Sequence, residues 1–311
     1  MDEASSSKKT AYAFQIISPA TTLKLHAMNR RDFDAWVSVI RTNIATRLGM
    51  GNAKRSTTTS AGVHAMLAKV SSAPEFVDNP LQNVRNANSA NCVCADCGAD
   101  DPDWACINLG ILVCFYCSGV HRSLGTHISK VRSLVLDKWE SHQQEIILRL
   151  GNKTTNDILT EDLPSFRRLD QRATREQRVK FITDKYVKKS YFQKLRGKSS
   201  KELWALVEAG VAPDALAAVL HLLLSGADMN QHHPTLGSLL HLCVASGDEV
   251  LLEFLCQWSC DPNQTDSQLR TPLHLAALKG NSRMCRILLE KGASDVALDE
   301  RGASPLTLWP N

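Results

Sequence analysis

Two closely spaced pairs of cysteines are the residues of this sequence whose spacing points most directly to a chemical site. They form two Cys-x2-Cys motifs separated by 16 residues: Cys94, Cys97, Cys114 and Cys117. Each motif presents two thiolates from one tight turn, and two such turns complete the tetrahedron that zinc prefers. A thioredoxin-like redox site needs only one motif in a βαβ context, and a chain without a secretory signal is not expected to form disulfides. The spacing therefore predicts a zinc site.

The predicted metal is structural rather than catalytic, because four protein thiolates leave no open position for water or substrate. Such a metal contributes folding free energy to a small, loop-rich domain. Cys92 and Cys106 fall outside the pattern. Each is either a bystander, which the spacing favours, or an alternative ligand in a shifted register. Any chemistry should then lie beside the metal, and the nearest candidate follows Cys117.

An arginine lies five residues beyond the fourth cysteine, in the stretch "CSGVHRSLG". The pattern predicts a helix from about Ser118, with Val120 and Leu124 facing inward and Gly125 as the stop. Arg122 then projects from another face, as does His121. On the residues alone, Arg122 is either an ordinary surface or ion-pair arginine or a functional group on a metal-anchored helix.

The C-terminal third of the chain repeats every 33 residues. "SLLHLCV" begins at Ser238, "TPLHLAA" at Thr271 and "SPLTLWPN" at Ser304. A 33-residue period with a T-P-L-H-x-A motif is the ankyrin signature, in which a turn and two helices stack on the next unit. We predict about three ankyrin repeats over residues 200–311, the last one truncated.

The N-terminal segment has a different pattern. "AYAFQIIS" and "TLKLHAM" alternate as two strands, and a helical pattern containing Trp36 follows. Residues 49–78 carry no strong period and are interpreted as a linker, after a segment 1–48 and before a cysteine-containing domain over residues 79–196.

Composition limits the possible functions. Apolar residues make up 43% of the chain and the net charge is +4, which is too small to indicate nucleic-acid binding. The cysteine-rich segment also contains the acidic stretch "ADDPD", so a DNA- or RNA-reading zinc module is disfavoured and no nucleic acid is expected. No signal peptide or membrane span is recognisable, and we expect a cytoplasmic protein.

The pattern Cys-x2-Cys-x16-Cys-x2-Cys-x4-Arg, from Cys94 to Arg122, resembles the signature of Arf GTPase-activating proteins (GAPs), as do "DPDWACINLGILVC" and "HRSLGTHISKVRSLVLDKW". The resemblance covers roughly residues 80–195. With ankyrin repeats behind it, the order resembles the ACAP and ASAP kind, and ACAP more closely. The fold implied is mostly α: a small four-cysteine zinc-finger α/β Arf GAP domain followed by an ankyrin-repeat α-solenoid. Residues 1–48 then resemble the C-terminal remnant of a pleckstrin-homology (PH) domain, two strands plus a helix.

The resemblance implies a function as well. Arg122 corresponds to the catalytic arginine that stimulates GTP hydrolysis on a GTP-bound Arf, while GTP and Mg²⁺ belong to the partner GTPase. Such proteins regulate membrane traffic or actin remodelling and are recruited peripherally to endosomal or plasma membranes. Phosphoinositide binding is expected of the family but weakened or lost here, since the first strands of a PH domain are missing. The ankyrin repeats offer a surface for a protein ligand. The alternative is a non-catalytic zinc and ankyrin interaction scaffold.

The resemblance also marks a group of candidate residues for the GTPase-facing surface: Trp104, Ile107, His127, Lys130 and Arg132. Two of them have an equally ordinary structural interpretation. Trp104 is either a core aromatic beside the zinc or a contact to the GTPase, and His127 is a structural histidine or an interface residue.

Overall fold

The computed structural model describes residues 13–17, 22–26, 36, 76–164, 169–195, 199–210, 215–233 and 235–310. In the N-terminal unit, strands β1 (Ala13–Ile17) and β2 (Thr22–His26) pair antiparallel, with Ala13 opposite His26. The two predicted strands are therefore present. Apart from Trp36, the predicted helix lies outside the described residues, and so does most of the predicted linker.

The cysteine-containing part combines a small sheet with short helices. Its elements are α1 (Pro80–Ala87), β3 (Trp104–Cys106), β4 (Ile111–Val113), α2 (Phe115–Ser123), β5 (Val131–Ser133), α3 (Ser141–Arg149), α4 (Gly151–Leu159) and α5 (Arg175–Ile182). A 3₁₀ turn at Ser89–Cys92 and a π-helical turn at Thr183–Val187 complete it. The sheet order is β4-β3-β5, all antiparallel, so that Trp104 lies opposite both Val113 and Ser133.

Helix α2 begins three residues earlier than the sequence pattern predicts. Cys114 has extended backbone and serves as the N-cap, and the helix ends at Ser123, two residues before Gly125 with its φ of 91°. The metal motif therefore overlaps the first helical turn instead of preceding the helix. Val120 is buried as expected, but His121, which was placed on an outer face, is fully buried as well.

The C-terminal part is a stack of paired helices. They are α6 (Ser199–Glu208), α7 (Leu216–Leu224), α8 (Leu239–Ser246), α9 (Glu249–Gln257), α10 (Pro272–Leu278) and α11 (Ser282–Glu290). Residues 304–309 form turns, and Leu306 and Trp309 pack half-buried against the core. Within the described residues no helix is both long enough and apolar enough to cross a membrane.

The histidine of the T-P-L-H motif links one repeat to the next by hydrogen bonds. The backbone N–H of Thr271 donates to Nδ1 of His274 at 3.0 Å, which leaves Nε2 to donate to the Ala303 carbonyl of the following turn at 3.2 Å. In the preceding repeat, His241 repeats the contact, with Nε2 donating to the Arg270 carbonyl at 2.8 Å. Burial lowers the pKa of both histidines, so each acts as a neutral imidazole.

The cysteine-containing part and the helical stack share a packed junction. Helix α3 packs on α9, and Trp258 at the end of α9 donates from Nε1 to the carbonyl oxygen of Asn108 at 2.8 Å. Apolar side chains from both parts belong to one continuous core. The sequence period had not indicated whether the repeats stand apart from the zinc unit.

Candidate functional site

The four cysteines converge as the spacing predicts. All are buried, and their Sγ atoms lie within 4.8 Å of one another. The Sγ atoms of Cys97 and Cys114 are 3.6 Å apart, close to the about 3.8 Å that tetrahedral zinc with bonds of about 2.3 Å requires. Cys92 and Cys106 are not part of this group. The donor set and its dimensions fit zinc, and the four thiolates form a zinc site.

The two halves of the site are built by different local structures. The first is a tight turn in which Gly98, at φ 67°, donates its N–H to the Cys94 carbonyl at 3.0 Å. The positive φ explains the glycine, because a side chain there is strained. The second is the start of α2, with Cys114 as N-cap and Cys117 in the first turn. A zinc ion held there fixes the N-terminal end of α2 against the turn.

A cation lies against the thiolates. Arg178 of α5 donates from one guanidinium nitrogen to Sγ of Cys117 at 3.2 Å and from the other to the Gln171 carbonyl at 2.6 Å. Four thiolates around one Zn²⁺ leave two net negative charges, and a buried guanidinium at this distance offsets part of that charge. No spacing in the sequence identified Arg178, which is 61 residues from Cys117.

A buried polar network ties the first cysteine turn to α2. Asp96 accepts hydrogen bonds from His121 Nε2 at 2.9 Å, Lys185 Nζ at 3.0 Å and Tyr186 Oη at 2.8 Å. Burial by itself raises the pKa of Asp96, but Lys185 and His121 outweigh that effect and hold it below its usual range. On the other side of the ring, Nδ1 of His121 contacts Oγ of Ser129 at 2.9 Å. The helix turn that precedes Arg122 is therefore held from two directions.

Arg122 is exposed on α2 and lies over the ring of Trp104, with 4.1 Å between its Cζ atom and the ring centroid. A guanidinium over an indole face is a favourable cation–π pair. Nε1 of Trp104 is buried and has no hydrogen-bond partner within the part of the chain that the structure describes. The structure thus brings together two of the residues that the sequence singled out.

Two other candidates, Ile107 and His127, are not part of the Arg122–Trp104 pair. Ile107 is 1% exposed and belongs to the core, where its backbone N–H pairs with the Lys130 carbonyl at 3.0 Å. His127 is exposed in the turn after α2, where its ring lies beside Gly125. Their role toward a GTPase stays a prediction.

The two basic candidates, Lys130 and Arg132, interact with other residues of this chain. Lys130 is half-buried near Glu253 and Lys291 of the helical stack. Burial lowers its pKa, Lys291 lowers it further, and Glu253 acts in the opposite direction. Arg132 donates to Oε1 of Gln143 at 2.6 Å and its guanidinium lies 5.0 Å from the Trp139 ring centroid. Neither side chain is placed beside Arg122 by these contacts.

Comparison with known proteins finds matches to two parts of this chain. Residues 78–195 match the family model described as "Putative GTPase activating protein for Arf", and residues 209–299 match "Ankyrin repeats (3 copies)". A solved structure, "ArfGap domain of HIV-1 Rev binding protein", is 24% identical with a TM-score of 0.31, and the match covers 37% of this chain and 87% of that one.

Several curated proteins are similar to this chain. The chain is 29% identical over 364 residues to "ADP-ribosylation factor GTPase-activating protein AGD4" and 30% over 365 residues to AGD2, both from Arabidopsis thaliana; each alignment covers 94% of this chain and 47% of the relative. It is 33% identical over 192 residues to the human "Arf-GAP with coiled-coil, ANK repeat and PH domain-containing protein 3", covering 59% of this chain and 23% of that protein. The chain spans about half the length of the plant relatives. It carries an Arf GAP domain followed by ankyrin repeats.

Proposed function

We propose that this protein stimulates GTP hydrolysis by Arf-family GTPases, with Arg122 supplied in trans to the bound nucleotide. The observation that carries the proposal is the position of Arg122: it is exposed on the helix whose first turn holds Cys117, and its guanidinium lies over Trp104. A zinc-anchored helix is a rigid support, so the guanidinium starts from a defined place when a GTPase docks.

The chemistry suits an arginine. Hydrolysis of GTP develops negative charge on the transferring phosphoryl group and the leaving oxygen, and a guanidinium stabilises that charge where water is excluded. Its planar fork reaches two oxygens, which an ammonium group does not. In this proposal the nucleotide, Mg²⁺ and the group that orients the attacking water belong to the GTPase. The zinc holds the domain together and takes no part in the reaction.

The experiment is single-turnover hydrolysis of GTP preloaded on an Arf protein, with the wild-type chain, Arg122→Ala and Arg122→Lys side by side. We expect both variants to lose about 10³-fold or more of the stimulated rate, because a trans arginine contributes about 10³ to 10⁵ in GTPase catalysis. The matched control is Arg172→Lys, an exposed arginine of the same domain. Zinc content should be unchanged in all three variants, and Arg122→Ala should lose no more stability than the cation–π pair contributes, about 0.5–1 kcal/mol.

The same assay separates this function from the alternative. If a folded, zinc-loaded wild-type chain gives no stimulation on any Arf, the chain is an interaction scaffold, with the ankyrin repeats binding a protein ligand. If Arg122→Lys retains the wild-type rate, the chain is a GAP whose arginine lies elsewhere.

We extend the proposal to the membrane. The antiparallel pair β1–β2 supports an origin in a PH domain, and the human relative is named for such a domain. In this proposal the chain is cytoplasmic and is recruited peripherally to endosomal or plasma membranes. Hydrolysis measured with vesicles that contain or lack phosphoinositide tests the lipid contribution: a rate that depends on phosphoinositide supports recruitment, and equal rates contradict it.

A further inference from the structure

We propose that Trp258, in the ankyrin part, is a positioning residue for the GAP site and acts through Asn108 on the turn that follows α2. The inference rests on the proposed function, because Arg122 is the group whose position is at stake. It assigns the ankyrin repeats a role inside the GAP site, in addition to any surface that they offer to other proteins.

The first step is the contact between the two parts of the chain. Trp258 caps the C-terminal end of α9 and donates from Nε1 to the Asn108 carbonyl at 2.8 Å, across 150 residues of sequence. Its ring also packs edge-on against Phe254, with centroids 6.4 Å apart. The indole is therefore fixed by its own helix, and its N–H holds the β3–β4 turn in place.

The second step is a clamp made by the Asn108 side chain. Nδ2 donates to the Ile128 carbonyl at 2.9 Å, and Oδ1 accepts from the backbone N–H of Lys130 at 2.8 Å. Asn108 is 2% exposed, so these bonds are not in competition with bulk water. The Asn108 side chain thus hydrogen-bonds to the residue before Ser129 and to the residue after it.

The third step leads to the catalytic helix. Oγ of Ser129 lies 2.9 Å from Nδ1 of His121, the residue before Arg122, and the opposite ring nitrogen is held by Asp96. The backbone N–H of Ser129 also donates to the Gly125 carbonyl at 3.0 Å, just beyond the end of α2. A shift of Ser129 therefore moves the C-terminal half of α2, where Arg122 lies.

A second feature of the ankyrin part lies near the turn after α2. Lys130 faces the ion pair between Lys291 Nζ and Glu253 Oε1, which are 2.8 Å apart, and Glu253 is 1% exposed. The ankyrin part thus contacts Asn108 directly, and its buried ion pair lies near Lys130. Simple packing of two domains would bury apolar surface without reaching a turn so close to the arginine.

The first test needs no GTPase. In zinc-loaded Trp258→Phe, an aromatic ring remains, smaller than the indole, and the N–H is removed. We expect amide hydrogen exchange at Ser129 and Lys130 to accelerate about fivefold or more, because the clamp loses its outer support. The matched control is Trp204→Phe in α6, whose indole packs beside His233 within the ankyrin part. Unchanged exchange in Trp258→Phe, or equal acceleration in the control, overturns the proposal, whether or not the chain proves to be a GAP.

The second test measures stimulated hydrolysis. We expect Trp258→Phe to lower kcat for Arf·GTP about five- to tenfold with KM unchanged, since a displaced arginine weakens the transition state more than docking. Asn108→Ala should lower kcat at least as much, and the double variant should be no worse than Asn108→Ala within about twofold. Multiplied losses in the double variant, or a rise in KM alone, contradict a path through Asn108.

Discussion

At the scale of single residues, the pairing of Arg122 with Trp104 restricts the position of the guanidinium. A solvated arginine samples many rotamers, and ordering it on docking costs free energy. With Cζ 4.1 Å from the indole centroid, part of that order already exists before the GTPase of the proposed function docks. Nε1 of Trp104 has no hydrogen-bond partner among the described residues, and in the proposed function it is a donor available to the docked GTPase.

Substitution of Trp104 tests this preparation. Because an exposed cation–π pair contributes about 0.5–1 kcal/mol, Trp104→Ala should lower the stimulated rate by at least about two- to fivefold, while Trp104→Phe, which keeps a π face, should lose less. The measurement is single-turnover hydrolysis, with zinc content and thermal unfolding as controls. Equal losses in the two variants would assign the effect to the indole N–H instead of the ring face.

The zinc ligand set is the second prediction at this scale. Cys114→Ser removes a thiolate from the closed shell, and zinc binding and the fold of the zinc unit should be lost together, since metal binding supplies folding free energy. Cys92→Ser is the matched control, because Cys92 lies outside the four-thiolate group. It should retain about one zinc per chain by metal analysis. A zinc-free Cys114→Ser that keeps its near-UV circular dichroism would refute the structural role.

At the scale of elements, features set by local sequence patterns were predictable, and contacts between residues far apart in the sequence were not. The Cys-x2-Cys turns and the 33-residue period act over short stretches, so their residues identify the zinc ligands and the ankyrin helices. Lys185 is 89 residues from Asp96, and no local period relates them. The buried His121 was missed for the same reason: its partners Asp96 and Ser129 come from two other segments.

The inter-repeat histidines give the ankyrin stack a defined response to acid. Burial lowers the pKa of His274 in the folded chain below its value of about 6.5 in the unfolded chain. At pH values between these two pKa values, the unfolded chain binds a proton at this residue and the folded chain does not. The stability that the neutral His274 contributes is therefore fully present above the unfolded pKa, and it is lost as the pH falls toward the folded pKa. Replacing it with a residue that does not titrate, His274→Gln, should make the free energy of unfolding less dependent on pH between about 7 and 5. Urea unfolding at several pH values measures this; an unchanged slope would mean that His274 titrates alike in both states.

At the scale of the whole described unit, a buried carboxylate lies beside the junction between the zinc part and the ankyrin part. Glu253 is 1% exposed and accepts hydrogen bonds from Lys291 and Gln257, with His142 of α3 at 3.9 Å from its other oxygen. Burial lowers the pKa of His142, so its charge is not the one that balances Glu253. Lys291, which like Glu253 belongs to the helical stack, supplies the compensating charge.

Removing that compensation should cost far more than breaking an exposed pair. Lys291→Met leaves the Glu253 carboxylate buried without its cation, and we expect a loss of about 3 kcal/mol in the free energy of unfolding. The matched control, Lys153→Met, breaks the exposed pair with Asp157 and should cost no more than about 0.5 kcal/mol. Adding Glu253→Gln to Lys291→Met removes the stranded charge and should recover part of the loss in urea unfolding. If the two lysine variants lose the same amount, the Lys291–Glu253 ion pair contributes no more to stability than an exposed pair.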